Sequence, residues 1–446
     1  MPLLILSVLI LFSLSTAKEI FTEQLIKQYL NEQNPFIYTL IGKKYIYQGK
    51  LKYYEVFFDT KLKGKYEKKE YPVSEGLFYS IFIEKPTYNG IDFSFGYRKA
   101  KGIQEYNNIK TGKDGELLVG LKIPILNVKQ NIDKRRLNLF LTDLELKKVD
   151  FEYQSKFRKL YLKIVTSYYK TLYYKQVLDI EKDLLQKAEK RKEYIVNKIK
   201  EGLLPTVYQI EAEQHIINRQ QRVLKAKNDF TVQLNKFLKY LNIDSKTFLK
   251  SYDLPDLPEP KDLQITLNEA IKLALQNRPE LKEIKVEKER LQNEKKFYTL
   301  LKYPKINLSL YGVHDFNYDS GYKVSLDAVY SVERRKYLGK SIEIRKKDIL
   351  LDKKQEKILI ELKTNLKNII ETLNTLKENI KNAQQEISLL KKLEEVERKK
   401  LRLGSGNLYF INQREIYTLK TVKKNLKYKL NYLIFYKKFF VELNIF

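Results

Sequence analysis

Two long stretches of the chain repeat apolar residues at the spacing of an α-helix. The first runs from about 128 to 200 and contains no Pro and no Gly. The second, from about 340 to 403, alternates apolar steps of four and three through four heptads, the pattern of a coiled-coil seam. Its seam residues are Leu362, Leu366, Ile369, Leu373, Leu376, Ile380, Ala383, Ile387 and Leu390. At about 1.5 Å per residue, the two stretches predict rods of roughly 110 and 95 Å.

Each predicted rod ends at a glycine-containing turn, after which the chain returns as a shorter helix. The first turn is 201–206 and the second is 403–407. Gly just past the last helical residue, followed by Pro or Asn at the start of the next helix, is the usual chemistry of a helix stop and start. We therefore predict two αα-hairpins, at about 128–241 and 340–444.

Between the helices, apolar and polar residues alternate with a period of two, which predicts strands within about 53–126 and 305–332. The alternating segments are 56–62, 91–97, 117–125, 306–310 and 322–330. Strands of this kind, apolar on one face and with Tyr near their ends, suit a transmembrane barrel and a soluble sandwich equally well. Residues 77–98 predict an additional hairpin in the first of these regions.

The chain also reads as a duplicate of one unit. Gln33-Asn34-Pro35 recurs as Gln276-Asn277-Arg278-Pro279, and each copy continues as strands, long helix, turn and helix. A segment at 251–264, with three prolines in six residues, predicts a stiff linker. We expect a first repeat at 18–250 and a second at 265–446.

The N-terminus begins with an apolar run at 2–14, followed by Ser15-Thr16-Ala17. This run is too short to cross a bilayer but fits the core of a signal peptide with small residues at the cleavage site. We expect a signal peptide at 1–17; a buried N-terminal helix is the alternative. No later segment reaches 18 uncharged apolar residues.

The composition excludes several kinds of catalytic and metal-binding site. The chain has no Cys and two His, which excludes disulfides, zinc ribbons, iron–sulfur clusters and thiolate nucleophiles. It contains no nucleophile–base pair and no metal-ligand spacing, so we expect no cofactor, no metal site and no enzyme activity. With 85 Lys+Arg and 55 Asp+Glu, the net charge of +30 would suit nucleic-acid binding. Export through a signal peptide would remove the protein from nucleic acid.

The order of these pieces resembles the outer-membrane efflux proteins of the TolC family, across nearly all of the chain after the leader. The similar segments are Ala274-Leu275-Gln276-Asn277-Arg278-Pro279-Glu280-Leu281, Tyr303-Pro304-Lys305-Ile306, Leu121-Lys122-Ile123-Pro124-Ile125-Leu126, Gly202 with Ile210-Glu211-Ala212-Glu213, and Arg402-Leu403-Gly404 with Asn412-Gln413. Each motif is short, and their order and duplication carry the resemblance.

The resemblance implies a mainly α fold with membrane β: two duplicated αα-hairpin repeats, plus strands that contribute to a trimeric outer-membrane β-barrel. It implies a homotrimer in the outer membrane, in contact with its lipid, with the helical part in the periplasm. The implied function is the exit duct of a tripartite efflux or type I secretion system, with a periplasmic adaptor and an inner-membrane transporter as partners. We expect the duct to be gated at its periplasmic helix tips by untwisting of the hairpins, such as the one that turns at Gly404. We expect four strands per copy, with six as the alternative.

The resemblance also assigns candidate sites. The residues expected to contact the adaptor are those of the two turns: Gly202, Leu203, Leu204, Pro205, Thr206, Gly404, Ser405, Gly406 and Asn407. A cluster of Arg398, Lys399, Lys400 and Arg402 is a candidate lining of the periplasmic aperture, where three copies would form a basic ring that favours anions. Plain turn chemistry and a solvated helix face are the alternatives.

The residues after the turn glycines depart from the family pattern. The family usually has Ser or Thr three residues after the turn glycine and Asp six after it. This chain has Pro205 and Tyr208 at these two positions in the first hairpin, and Asn407 and Phe410 in the second.

The lysines at 61, 63, 65, 68 and 69 are expected in an external loop. The alternative classes are an intracellular coiled-coil scaffold or nucleic-acid binder, and a periplasmic adaptor protein.

Overall fold

A computed structural model describes residues 18–72, 74–102, 110–403 and 405–446. The expected signal peptide at 1–17 and Gly404 lie outside the described residues. The chain forms two compact units. The helical unit comprises the described residues up to 40, together with 156–278 and 362–446. The sheet unit comprises 41–155 and 279–361.

The elements follow one another as helices and strands in alternating blocks. The helices are α1 (Glu23–Ile26), α2 (Pro35–Glu55), α3 (Ile125–Lys129), α4 (Lys134–Lys200), α5 (Val207–Leu241), α6 (Ser245–Ser251), α7 (Leu267–Asn277), α8 (Pro279–Thr299), α9 (Arg335–Arg402) and α10 (Leu408–Leu443). The strands are β1 (Glu19–Ile20), β2 (Lys61–Tyr71), β3 (Ser74–Pro86), β4 (Asp92–Gly102), β5 (Glu116–Pro124), β6 (Tyr252–Asp253), β7 (Lys305–Asp315) and β8 (Ser320–Val329).

Both predicted rods are confirmed as continuous helices of 67 residues (α4) and 68 residues (α9). The first begins later than the apolar pattern predicts. The short helix α3 precedes it, and Asn131 then adopts a left-handed backbone with φ of 50°, which interrupts the helical path. Among the described residues, no helix has an apolar stretch long enough to cross a bilayer.

The coiled-coil seam predicted in α9 forms one core of the helical unit. Its first seven residues, from Leu362 to Ala383, are all buried. The first six, from Leu362 to Ile380, lie in a cluster with Ala270 and Ala274 of α7 and with Phe439 of α10. Since burying a Leu or Ile side chain contributes about 1.5–3 kcal/mol, this seam is a main source of the unit's stability.

An aromatic cluster forms a second core of the helical unit around Phe21, which is completely buried. Its ring lies 5.0 Å from that of Phe248 and 5.8 Å from that of Phe237. The Tyr168 hydroxyl donates a hydrogen bond to the Phe21 carbonyl at 2.9 Å. Strand β1 pairs in parallel with β6, so this cluster fixes the start of the described chain on α4 and α5.

The sheet unit contains one antiparallel sheet in the order β2-β3-β4-β5-β7-β8. The register aligns Leu62 with Ile83, Ile83 with Phe95, and Phe95 with Val119, so one face collects the apolar side chains. The exposed side chains on this apolar face include Leu62, Tyr66, Ile81, Ile83, Phe93, Phe95, Val119, Tyr322, Val324 and Leu326. A soluble sheet buries its apolar face against a core. This sheet exposes that face instead.

The structure corrects three expectations about the strands. The hairpin predicted at 77–98 belongs to the sheet, because β3 pairs with β4 from Gly76 to Pro86, and the sheet has six strands rather than four. The alternation at 56–58 does not form a strand, because α2 continues into a 3₁₀ turn there. The five lysines expected in a loop lie in β2, where alternation places Lys68 on the apolar face and the other four on the polar face.

Candidate functional site at the hairpin turns

The first turn ends α4 with a left-handed glycine. Gly202 has φ of +73°, and its N–H donates to the Ile199 carbonyl at 2.9 Å. The Leu203 N–H donates to the Lys198 carbonyl, also at 2.9 Å. These two bonds form a Schellman motif, which satisfies carbonyls that a helix end otherwise leaves without partners. Pro205 then introduces α5, and Leu203, Pro205 and Thr206 are exposed.

The second turn is fixed by the close approach of Gly406 to the Leu401 backbone and by a cap at the start of α10. A Cβ on Gly406 would come within 2.3 Å of the Leu401 backbone nitrogen, so only glycine fits there. Asn407 caps α10 by accepting a hydrogen bond from the Tyr409 N–H at 2.8 Å. Ser405 donates its N–H to the Lys400 carbonyl at 3.1 Å. Asn407 therefore makes the capping contact that its residue type predicts.

An apolar contact joins the first turn to the end of α9 within the helical unit. Ile195 of α4 and Ala212 of α5 are buried, and Leu204 of the first turn packs against them. Leu401, at the end of α9, packs against the same pair. Tyr208, which stands where the family usually has an acid, also lies in this cluster. The Tyr ring therefore contributes apolar packing at that position.

Four helices meet in a buried polar cluster close to the turns. The Glu415 carboxylate on α10 is only 5% exposed. It forms ion pairs with Arg191 of α4 and, at 2.5 Å, with Arg398 of α9. Arg219 of α5 lies 3.9 Å from the other carboxylate oxygen. Each of the four helices thus contributes one residue, and we call this group the Glu415 cluster.

The Glu415 cluster contains more positive than negative charge. Arg191 also donates to the Asn412 side-chain oxygen at 2.9 Å, and Arg398 donates to Glu394 at 2.8 Å. Burial and the neighbouring arginines lower the pKa of His215 on α5. A neutral imidazole is therefore favoured beside these cations.

The basic residues predicted to line an aperture fall into two groups. Arg398 belongs to the Glu415 cluster, so part of its charge is neutralised inside the helical unit. Lys399 lies 3.4 Å from Glu395, and Lys400 lies 3.3 Å from Glu397, in pairs within α9. Arg402 is exposed at the end of the helix. The structure brings none of the other three into the Glu415 cluster with Arg398.

Sequence reasoning missed the other members of the Glu415 cluster and two exposed apolar stripes. The α5 stripe runs along the side of α5 away from its buried face and begins in the first turn. It consists of Leu203, Val207, Ile210, Ile217 and Leu224. The α9 stripe lies near the second turn and consists of Leu389, Leu393, Val396 and Leu403. Heptad steps of three, four and seven in both stripes were the available signal.

Comparisons with known proteins identify the fold. No protein-family model matches the sequence, and no curated protein sequence matches it. Among solved structures, the CmeC outer-membrane channel of Campylobacter jejuni is similar over 97% of this chain and 91% of its own, with a TM-score of 0.67 and 11% identity. The outer-membrane protein VceC of Vibrio cholerae is similar over 95% and 94%, with a TM-score of 0.64 and 11% identity.

A third similar structure is that of the outer-membrane channel OprN, which covers 94% of this chain and 89% of its own. Its TM-score is 0.68 at 11% identity. The mainly α fold with a β-sheet, expected from the sequence resemblance, is confirmed by these three structures. At such low identity the similarity defines the fold alone.

Proposed function

We propose that this chain, which has the fold of the outer-membrane channels CmeC, VceC and OprN, is a passive outer-membrane exit duct of a tripartite efflux or type I secretion system. It would act without enzyme activity and without a nucleic-acid partner. The single observation that carries the proposal is the sheet, which exposes an apolar face over the middle of its strands and has most of its charged side chains on the other face or, like Lys68, toward the strand ends. Such a surface is stable against lipid and costly in water.

The sheet supports assembly with further copies of the chain, and we propose a homotrimer. A bilayer offers no water to the backbone, so strands can cross it only in a closed barrel without free edges. One copy has a six-stranded sheet with two edges, β2 and β8. Copies placed side by side would close the barrel, and the helices of the same copies would form the periplasmic duct.

The helical hairpins support contacts with further copies and with an adaptor. The α5 stripe and the α9 stripe are apolar, exposed and spaced as coiled-coil seams. We assign them to helix packing between neighbouring copies. The exposed residues of the two turns then remain for the adaptor, because a turn at the end of a duct is the part a periplasmic partner reaches first.

The Glu415 cluster supports a gate at the periplasmic end. It links the hairpin of α4 and α5 to the hairpin of α9 and α10, so these hairpins cannot separate without breaking buried ion pairs. We assign the closed state to this contact and the open state to its loss. Arg402 and the outer lysines of α9 would then lie near the opening and favour anionic cargo.

Fractionation and mass measurement test the proposed location and assembly. We expect the protein in the outer membrane, as a detergent-requiring trimer whose chain begins at Lys18. An adaptor would instead be found in the periplasm or at the inner membrane. A detergent-free soluble protein that keeps residues 1–17 would overturn the proposal and favour the intracellular scaffold or nucleic-acid binder.

A reversible cross-link tests the gate. The natural chain has no Cys, so Leu204→Cys and Leu401→Cys can be joined by a short thiol reagent with a reducible centre. These residues lie on different hairpins and pack against the same buried pair. Export should stop on cross-linking and recover on reduction. The matched control joins Lys192→Cys to Glu213→Cys, whose native side chains lie 3.0 Å apart within one hairpin, and should leave export unchanged. Undiminished export through the first cross-link would refute the gate.

A further inference from the structure

The two edges of the sheet are complementary in direction. Neighbouring strands alternate in direction across six strands, so β2 and β8 run antiparallel to each other. A second copy, rotated beside the first, would therefore present its β2 antiparallel to β8. Two β2 edges facing each other would instead bring Lys61, Lys63, Lys65 and Lys69 of one copy against those of the other. Like charges opposite each other destabilise a strand pair.

Side-chain alternation restricts the register of this pairing. Leu62, Gly64 and Tyr66 of β2 share the apolar face with Val324 and Leu326 of β8. A slip of one residue would turn one strand's apolar side chains to the polar face, so only slips of two are compatible with a continuous apolar face.

One register matches the lengths and the charges of the two strands. Placing Lys61 opposite Val329 pairs all ten residues of β8 with β2. On the polar face it sets Lys63 opposite Asp327, and Glu67 opposite Lys323. A slip of two residues in either direction keeps one pair of opposite charges, between Asp327 and a lysine. It also creates a Lys–Lys pair, in which Lys323 faces Lys65 after one slip and Lys69 after the other. The charges therefore favour the register that overlaps completely.

The strand tilt gives an independent check. Within one copy, the strand pairings connect Tyr322 through β7, β5, β4 and β3 to Leu62. In the favoured register Tyr322 faces Lys68 of the next copy, a shift of six residues per copy. With about 3.3 Å per residue and about 4.8 Å between strands, this shift gives a tilt of about 35°, within the roughly 35–45° of outer-membrane barrels. The slip that sets Lys65 opposite Lys323 gives about 25°, outside this range, whereas the slip that sets Lys69 opposite Lys323 gives about 43°, so only the charges decide against the second slip.

We propose that β2 of one copy pairs with β8 of the next in this register, with Lys63 opposite Asp327 and Glu67 opposite Lys323. The pairing rests on the trimer of the proposed function. Three copies of six strands then close one eighteen-stranded barrel, and the β2–β3 hairpin forms part of its wall. Barrels of about 16–18 strands enclose a water-filled channel, so this duct is wide at the outer membrane.

Cysteine pairs test the register in the full-length protein in membranes. Lys63→Cys with Asp327→Cys should give covalent trimers on mild oxidation, because directly opposite Cβ atoms lie within reach of a disulfide. Gly64→Cys with Asp327→Cys points the two thiols to opposite faces and is the matched control, with a yield about tenfold lower. If β4 were the edge, Ser94→Cys or Arg98→Cys would cross-link with Asp327→Cys instead. That result would overturn the eighteen-stranded barrel.

Charge reversal tests the same register without oxidation. Lys63→Asp alone and Asp327→Lys alone each place like charges opposite each other and should lower the temperature at which the trimer dissociates in detergent. The double variant restores opposite charges between the copies and should recover that part of the loss, while the ion pair of Lys63 with Glu84 within one copy, 2.6 Å in the native chain, stays broken. Lys61→Asp, which faces Val329, is the single-reversal control and should change the dissociation temperature least. A double variant less stable than either single variant would overturn the register.

The two proposals fail in different ways. A protein absent from the outer membrane, or monomeric there, would overturn the proposed function and the barrel together. A trimer in the outer membrane that forms no Lys63→Cys to Asp327→Cys bond, and shows no recovery in the double charge variant, would overturn the register alone.

Discussion

Glu415 on α10 forms an ion pair with Arg191 on α4, a residue 224 positions earlier in the chain. The pair joins the two helical hairpins near their turns, and Arg219 and Arg398 complete its surroundings. A single carboxylate is therefore close to three guanidinium groups, two of which are buried almost as deeply as the carboxylate itself.

Removing this carboxylate should destabilise the helical unit strongly. Glu415→Ala leaves buried guanidinium groups without their counter-charge, and breaking a buried pair in this way costs about 3–5 kcal/mol. The matched control is Glu395→Ala on α9, whose partner Lys399 is exposed, so its expected cost is about 0–1 kcal/mol. Denaturant unfolding of the detergent-solubilised protein, followed by circular dichroism, measures both. Equal losses would contradict the buried role of Glu415.

The two turn glycines should respond differently to alanine. Gly406→Ala would force its Cβ into the Leu401 backbone, which cannot move without displacing α9, so we expect the second turn to rearrange. Gly202→Ala meets no atom within 4 Å, and its cost is the left-handed backbone alone, about 1–2 kcal/mol. Limited proteolysis at the turns reports the difference. Faster cleavage in Gly202→Ala than in Gly406→Ala would be the contrary result.

Stability should fall as the pH drops below neutral, in part through His215. Burial lowers its pKa first, Arg219 and Arg191 lower it further, and Glu211 and Glu415 act in the opposite direction. As the pH falls through about 6.5, the unfolded chain takes up this proton before the folded chain does, so the free energy of unfolding decreases.

A variant pair isolates the contribution of His215. His215→Gln cannot titrate and should show a smaller loss of melting temperature between about pH 7 and about pH 5. His314→Gln, which replaces the chain's other histidine, should retain the loss due to His215. If the two variants show the same pH dependence, His215 is not its source.

The α5 stripe should be needed for assembly and not for the fold of one copy. Ile217→Asp places a charge in the middle of the stripe, opposite the buried face that contains Arg219, and should reduce the fraction of trimer. Asn218→Asp adds the same charge on a neighbouring exposed position and should leave assembly intact. Mass photometry in detergent gives the oligomer fractions. Unimpaired trimers of Ile217→Asp would show that another surface joins the copies.

Local spacing predicted most of the helical architecture. The heptad steps from Leu362 onward located the seam, and the first seven seam residues are buried. Gly202 and Asn407 marked the turn chemistry that the structure shows. These signals depend on neighbours within one or two helical turns, so a sequence alone contains them.

The features that the sequence did not predict, the Glu415 cluster and the number of strands, depend on contacts between residues far apart in the chain. Nothing in the sequence separates Glu415 from the other carboxylates of a chain with 55 Asp+Glu. Its burial results from the meeting of four helices. The strand count was wrong for a related reason: β2 is rich in lysine and resembles a solvated loop until its pairing with β3 is known. Val56 and Phe58 mimicked the start of a strand because apolar residues two positions apart also occur in this 3₁₀ turn, whose middle residue, Phe57, is apolar as well.

The short parallel pairing of β1 with β6 has a consequence for how the chain acquires its structure. Glu19 pairs with Tyr252, so the strand bond closes a loop of more than 230 residues. Contacts of such long range form slowly, because the entropy of closing the loop opposes them. We therefore expect the aromatic core around Phe21 to form only after residues near Tyr252 have folded. Each helical hairpin, whose contacts are closer in sequence, can form earlier from its own turn. We therefore expect folding to begin at the two turns and to end with the packing of Phe21.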